Sequence, residues 1–167
     1  PESPLALEAA ASRDTTLADS LFDDAGWKRG GDGVRRRDGR PFAFDLLTVG
    51  SGDNALEQLV QADLALRGVR ANIRQVELGT FLTQARAAQK KFDVLVAGVP
   101  GDVALAFLGA MFESRQQGGA LDYTGFHSPR LDSLFTAARG AETDSARANA
   151  WRNVQGYLRD ETPVAWV

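Results

Sequence analysis

The chain has 167 residues, of which 44% are hydrophobic and 25% are charged, and its net charge is −3 at pH 7. This balance is ordinary for a globular protein, and the length suffices for one domain with its own core. The small negative charge excludes a global basic field for nucleic acid. The absence of cysteine excludes a disulfide scaffold, a thiol nucleophile and a thiolate metal site. No run of residues approaches the ~20 apolar positions that span a bilayer.

The first part of the chain predicts an approach segment followed by a capped helix. Residues 1–15 read as the approach segment; they lack a signal-peptide pattern, so we expect any targeting segment upstream. Thr16 is predicted to cap a helix over Leu17–Ala25. Gly26 supplies the left-handed residue that ends such a helix, and Trp27 can then fold back on it.

Strand and helix patterns alternate through the middle of the chain. Asp38-Gly39 predicts a tight hairpin, because its positive φ angles suit that turn. Hydrophobic periodicity then predicts strands over 42–47, 69–76 and 92–97, the last covered on both faces, and helices over 54–67 and 80–90. The stripe of the first of these helices comprises Leu56, Leu59, Val60 and Leu64. This order predicts an α/β fold with a mainly parallel or mixed sheet flanked by helices.

Helical patterns dominate the rest of the chain. A helix is predicted over 103–112, and another begins at Ser128-Pro129, a cap followed by a first-turn proline. A third runs over 144–159, and Pro163–Val167 is typical of a final strand.

Several features have a structural interpretation and a functional one. The cluster around Arg35-Arg36-Arg37 is interpreted as a solvated hairpin, because no stacking aromatic or recognition helix accompanies it. His127, the only histidine, is expected to be a surface or capping residue, and no metal-ligand spacing is present. Without a cysteine or a Gly-x-Ser-x-Gly elbow, the sequence predicts neither catalytic residues nor an enzyme.

Five motifs follow one another along the chain: Ala25-Gly26-Trp27, Asp32-Gly33-Val34-Arg35, Asp38-Gly39-Arg40-Pro41, Phe92-Asp93 and Ser128-Pro129-Arg130-Leu131-Asp132. This ordered series resembles the C-terminal lobe of the extracellular solute-binding proteins of ABC importers, family 5, which binds dipeptides, oligopeptides and nickel. The resemblance implies that residues 16–167 form one lobe of a two-lobe periplasmic or extracellular protein of the periplasmic binding protein-like II fold. It also implies a peptide or small-molecule ligand, a membrane permease and the missing N-terminal lobe as partners, and no cofactor.

The same resemblance implies ligand contacts in three loops. Asp102 matches the acid that pairs with a peptide's α-amino group, although it alternatively caps the following helix. Val99 stands where peptide-binding members have Trp. Tyr123 and Phe126 are candidates to line a cleft, with packing on the underlying helix as the alternative. Ser51 is a weaker contact candidate in a loop that faces the cleft between lobes in the family.

Two other functions remain as alternatives at this point. One is a stand-alone α/β ligand-sensing or regulatory domain. The other is a small enzyme that uses carboxylates such as Asp93 and Asp102. The leading hypothesis is capture of a solute by closure of two lobes about a hinge, a population shift that ligand contacts drive.

Overall fold

A computed structural model describes residues 13–50, 52–98 and 105–165, with only the backbone at residues 105 and 106. Its contacts divide the chain into two compact units. The sheet unit contains residues 13–85 and 89–98, and the helical unit contains residues 86–88 and 105–165. Within these ranges, no helix is both long and apolar enough to cross a membrane.

The sheet unit begins with helix α1, Thr15–Asp24, which confirms the first predicted helix. The cap is Asp14 and not Thr16: the Asp14 carboxylate accepts a hydrogen bond from the Leu17 amide at 2.8 Å. The first backbone amides of a helix have no partner within the helix, and a side chain just before it can accept their hydrogen bonds. Asp14 holds that position, whereas Thr16 already lies inside the helix. Gly26 ends the helix at φ 84°, as predicted.

A small antiparallel meander follows α1. Its strands are β1 (Lys28–Arg29), β2 (Arg35–Arg37) and β3 (Arg40–Pro41). Asp38 and Gly39 connect β2 to β3 with φ angles of 53° and 76°, so the predicted hairpin turn is confirmed.

Arg35 corrects the interpretation of the basic cluster as wholly solvated. Its side chain is only 2% exposed, and it donates hydrogen bonds to the carboxylates of Asp19 and Asp23, each at 2.7 Å. It also donates to the carbonyl oxygens of Trp27, at 2.7 Å, and Arg67, at 2.8 Å. A buried cation needs this number of acceptors. Arg35 therefore joins α1, the meander and the chain near Arg67.

The second sheet is parallel, with strand order β5-β4-β6, which confirms the predicted α/β architecture. Strand β6 is shorter and more exposed than predicted. Val94 is 41% exposed, so the prediction that both faces of this strand are covered was wrong. The elements are β4 (Ala43–Val49), α2 (Ala55–Leu66), β5 (Arg70–Val76), α3 (Leu78–Arg86) and β6 (Val94–Leu95).

Helix α2 is rotated relative to the predicted stripe. Val60 and Leu64 of that stripe are partly buried, but Leu56 and Leu59 are 41% and 69% exposed. Glu57 is instead 8% exposed and accepts a hydrogen bond from the Thr48 hydroxyl at 2.5 Å. Gln61 also faces the sheet, and its amide donates to the Ala71 carbonyl oxygen. Polar partners on the strands therefore fix the rotation of α2, which apolar periodicity alone does not reveal.

Helix α3 begins earlier than the predicted Thr80 because the Glu77 carboxylate accepts from the amides of Gly79, at 2.9 Å, and Thr80, at 3.2 Å. It ends at Arg86 and does not extend to Lys90. Its inward residues Phe81 and Ala85 are buried, as predicted.

The helical unit consists of α4 (Leu105–Phe112), a short 3-10 helix (Ser114–Gln116), α5 (Pro129–Arg139) and α6 (Asp144–Glu161). The Ser128 cap and first-turn proline are confirmed: the Ser128 side chain accepts from the Leu131 amide. Phe135 of α5 and Trp151 of α6 meet edge to face at 6.1 Å in the core. Residues 163–165 are not in a strand, and the last two residues of the predicted strand lie outside the described ranges.

Candidate functional site

The carboxyl edge of the parallel sheet is the first candidate site. In open α/β sheets, ligands bind beyond the carboxyl ends of the strands. Val49 at the end of β4 pairs in register with Val76 at the end of β5. We call Val49, the loop after it, and the residues from Gln75 to Leu78 the carboxyl edge.

The loop after β4 is fastened to β5. The Gly50 amide donates to the Val76 carbonyl oxygen at 3.3 Å, and the Gln75 side-chain amide donates to the Gly52 carbonyl oxygen at 3.1 Å. These bonds hold the backbone on both sides of Ser51 in sequence. Ser51 itself lies outside the described residues, so its contact role stays a prediction.

Exposed apolar side chains accompany this edge. Val49, Leu56 at the start of α2 and Leu78 at the start of α3 are 38%, 41% and 55% exposed. Sequence analysis placed Leu56 in the core and missed Val49 and Leu78. Their position directly after a strand's carboxyl end was the signal that could have found them. An apolar surface with a few polar anchors is typical of small-molecule sites.

The second candidate is the loop 118–127 of the helical unit, which carries Tyr123 and Phe126. Its centre is Asp122, a carboxylate only 4% exposed. One carboxylate oxygen accepts from the Gly118 amide at 2.8 Å, and the other accepts from the Gly125 amide at 3.1 Å. Asp122 therefore determines the path of the loop.

The two aromatic candidates have different surroundings. Phe126 packs against the core of the helical unit, as the packing alternative predicts, whereas Tyr123 is half-buried. His127 was expected to be a surface or capping residue. Its side chain is only 13% exposed, so the surface alternative was wrong, whereas its Nδ1 atom lies 3.4 Å from the carbonyl oxygen of Phe112, the last residue of α4, in agreement with the capping alternative. Its Nε2 atom lies 3.3 Å from the Asp122 carboxylate, which draws the ring inward.

Charged groups border the same loop. The hydroxyl and then the amide of Ser114 donate hydrogen bonds to Asp132 and hold the pKa of that carboxyl below its usual range, with further help from His127 and Arg139. Glu113, which is 2% exposed, pairs with Arg139. Across the described ranges, no group of three or more histidine, aspartate and glutamate side chains could hold a metal ion.

A shallow cleft of about 400 Å³ lies in the sheet unit, and Arg29, Val34, Leu66 and Arg70 are among its lining residues. Arg70 begins β5, so this cleft is at the amino end of the strand, opposite the carboxyl edge. Its position therefore counts against it as a ligand site.

Two of the sequence-predicted contacts are brought together, Tyr123 and Phe126 on one loop. Val99 and Asp102, like Ser51, lie outside the described residues. Their roles therefore remain predictions from the family resemblance.

No protein-family model matches the chain. The probable di/tripeptide-binding protein 5 of Pseudomonas aeruginosa is 29% identical over 106 residues, 62% of this chain and 20% of that protein. The oligopeptide-binding protein AppA of Bacillus subtilis is 24% identical across 100% of this chain and 32% of its own length.

Solved structures show the same relationship. AppA of Bacillus subtilis in complex with a nonapeptide gives a TM-score of 0.78 at 22% identity, covering 98% of this chain and 34% of that one. NikA of Brucella suis in complex with Fe(III)-EDTA gives a TM-score of 0.68 at 26% identity, covering 89% of this chain and 30% of that one.

The fold is therefore that of a periplasmic binding protein-like II lobe. The chain spans about a fifth to a third of the length of its curated relatives. It is related to one part of the dipeptide-, oligopeptide- and nickel-binding family of ABC-importer solute-binding proteins, which confirms the resemblance seen in the sequence.

Proposed function

We propose that this chain is one lobe of the solute-binding component of an ABC importer, and that the whole protein captures peptide-like or other small solutes. The observation that carries the proposal is the match to AppA along the whole chain, in sequence and in fold. The relatives are binding proteins, which supports a role without catalysis.

The carboxyl edge of the sheet unit and the loop of Tyr123 in the helical unit are each proposed to contact the solute. Val49, Leu56 and Leu78 offer apolar surface, and the fastened loop after β4 offers backbone groups at fixed positions. Asp102 is proposed to pair with an ammonium group of the solute, since charge-assisted hydrogen bonds are the strong ones. Val99, Ser51 and Phe126 complete the proposed contacts.

Closure against the missing lobe is the proposed mechanism. One wall leaves much of a solute in water, and a second lobe that closes over it excludes that water. Solute contacts present only in the closed form shift the population toward it. The closed form is then proposed to dock on the membrane permease, outside the cytoplasm, where the relatives work.

The experiment starts with full-length protein purified without refolding, and native mass spectrometry identifies the co-purified solute. Calorimetry then compares that solute's binding to the full-length protein, to the 167-residue chain and to full-length Asp102→Ala. We expect affinity to fall by roughly 4 kcal/mol or more in the isolated chain, because half of the contacts are lost while the immobilisation cost remains. For an amine-bearing solute, Asp102→Ala should cost ~2–5 kcal/mol.

Asp24→Ala is the matched control, since it removes an exposed carboxylate of α1. It should leave affinity unchanged. Equal affinity of the isolated chain and the full-length protein would instead support a stand-alone sensing domain, and turnover of the solute would support an enzyme. An unchanged affinity in Asp102→Ala would assign Asp102 to helix capping.

A further inference from the structure

The Asp122 carboxylate uses both of its oxygens to shape the loop 118–127. It accepts from the amides of Gly118 and Gly125, which bracket Tyr123 in sequence. Gly118 and Gly125 have φ angles of 75° and 64°, so the backbone turns sharply at both points. The position of Tyr123 thus depends on the state of one buried carboxylate.

His127 lies between two hydrogen-bond acceptors. Its Nδ1 atom is 3.4 Å from the Phe112 carbonyl oxygen, and its Nε2 atom is 3.3 Å from an oxygen of Asp122. The Nε2 atom is buried and makes no well-directed hydrogen bond with the described residues. A carbonyl oxygen and an ionised carboxylate can only accept.

Neither neutral form of the ring satisfies this arrangement. A proton on Nδ1 leaves the Nε2 lone pair facing the carboxylate, and a proton on Nε2 leaves the Nδ1 lone pair facing the carbonyl oxygen. Each of these two tautomers leaves a buried polar atom without a hydrogen-bond partner, at the cost of that atom's desolvation. Only the imidazolium ion carries a donor on both nitrogens.

Among the residues that the structure describes, further titratable groups lie in this neighbourhood. Asp132 of α5 interacts electrostatically with His127 and with Arg139 of the same helix. Glu113, next to Phe112, pairs with both Arg139 and Arg115. The Tyr157 hydroxyl of α6 reaches the adjacent Ser128 hydroxyl at 2.9 Å. Asp122 and Asp132 favour a positive ring, whereas Arg139 and Arg115, which share Glu113, disfavour it.

We propose that His127, as the imidazolium ion, and Asp122 are positioning residues that fasten the loop carrying Tyr123, and that the loop loosens when His127 loses its proton. The pair acts on a solute only through the placement of Tyr123 and Phe126. The consequence for solute affinity therefore rests on the proposed function, whereas the fastening itself does not.

Amide exchange in the ¹⁵N-labelled full-length protein tests the fastening without any solute. Exchange at Gly118 and Gly125, corrected for intrinsic rates, is measured at about pH 6 and about pH 9, on either side of the range where histidine ordinarily titrates. We expect about tenfold greater protection at the lower pH, the size of a charge-assisted hydrogen bond gained. Ring ¹⁵N shifts of His127, identified by their absence in His127→Gln, should show both nitrogens protonated at the lower pH.

Two variants separate the charge pair from mere packing. His127→Gln keeps a side-chain donor but not the charge, so the pH dependence of Gly118 and Gly125 should disappear. Asp122→Asn keeps the size but not the charge, and it should weaken protection at both pH values. Equal wild-type protection at the two pH values, or a pH dependence that persists in His127→Gln, would overturn the proposal. Such a failure leaves solute capture untouched, because no solute enters the measurement.

Discussion

The buried guanidinium of Arg35 allows a sharp test of what holds the sheet unit together. Replacement by methionine keeps an unbranched apolar side chain but removes every donor. Asp19 and Asp23 then lose a cation at 2.7 Å, and the carbonyl oxygens of Trp27 and Arg67 lose their donors. The links from Arg35 to α1 and to the chain near Arg67 are therefore lost, while Arg67 keeps its own pair with Asp19 at 2.8 Å.

The magnitude follows from the burial of each partner. Breaking a buried charge pair by removing one member costs ~3–5 kcal/mol. The carboxylates of Asp19 and Asp23 are 33% and 46% exposed, so they regain water when Arg35 is lost. This rehydration lowers the expected cost to about 3 kcal/mol, the bottom of that range.

Urea unfolding followed by tryptophan fluorescence measures this cost, since Trp27 stacks on Phe42 at 4.4 Å within the same unit. Arg36→Met is the matched control on the neighbouring residue. Arg36 pairs with Asp32 at the surface, so its loss should change the unfolding midpoint little. A loss below ~1 kcal/mol in Arg35→Met would refute the reasoning that this cation holds the unit together.

Two further substitutions test the backbone and the electrostatics. Gly68→Ala should lower the free energy of unfolding in urea by about 3 kcal/mol or more, because φ is 81° and the new methyl group would meet the carbonyl oxygen of Gly33. Gly31→Ala is the control: its methyl group would enter open space, so the free energy of unfolding should not change. Asp132→Asn should cost ~1–2 kcal/mol at neutral pH by weakening the bonds from Ser114. Because the folded pKa of Asp132 is lowered, its contribution is complete above the ordinary carboxyl value near 4 and is lost as the pH falls through the lower folded value. The difference between wild type and variant should therefore shrink in acid, and a constant difference would contradict this reasoning.

Local patterns predicted the elements whose determinants lie close together in sequence. The hairpin at Asp38-Gly39 and the Ser128 cap were confirmed because each depends on a few consecutive residues. The order of strands and helices predicted the parallel sheet because a helix between two strands returns the chain to the same end of the sheet. The first cap was misplaced from Asp14 to Thr16 because both residue types suit that position.

Polar contacts between different segments and loops account for the errors. Arg35 looked solvated in a run of three arginines, and only its approach to α1 buries it. Leu56 looked like core, and only the bond from Thr48 to Glu57 shows that α2 is rotated the other way. His127 looked exposed until Asp122, five residues earlier, was brought beside it. Each error concerns a polar contact that periodicity does not encode.

The motifs that identify the family are structural, and this explains why they do not identify the solute. Gly26 ends α1, Asp32 accepts from the Val34 amide, and Arg35 joins the meander to α1. None of these residues lies at the carboxyl edge or in the loop of Tyr123. Relatives named for peptides and for nickel can share such motifs because the same lobe must fold in each. The solute is proposed to be determined instead by the loops after β4, β5 and β6 and by the loop of Tyr123, because loops tolerate side-chain changes better than the elements they connect. A substitution at Arg35 should accordingly reduce stability, whereas a substitution at Tyr123 should change solute affinity with little effect on the unfolding midpoint.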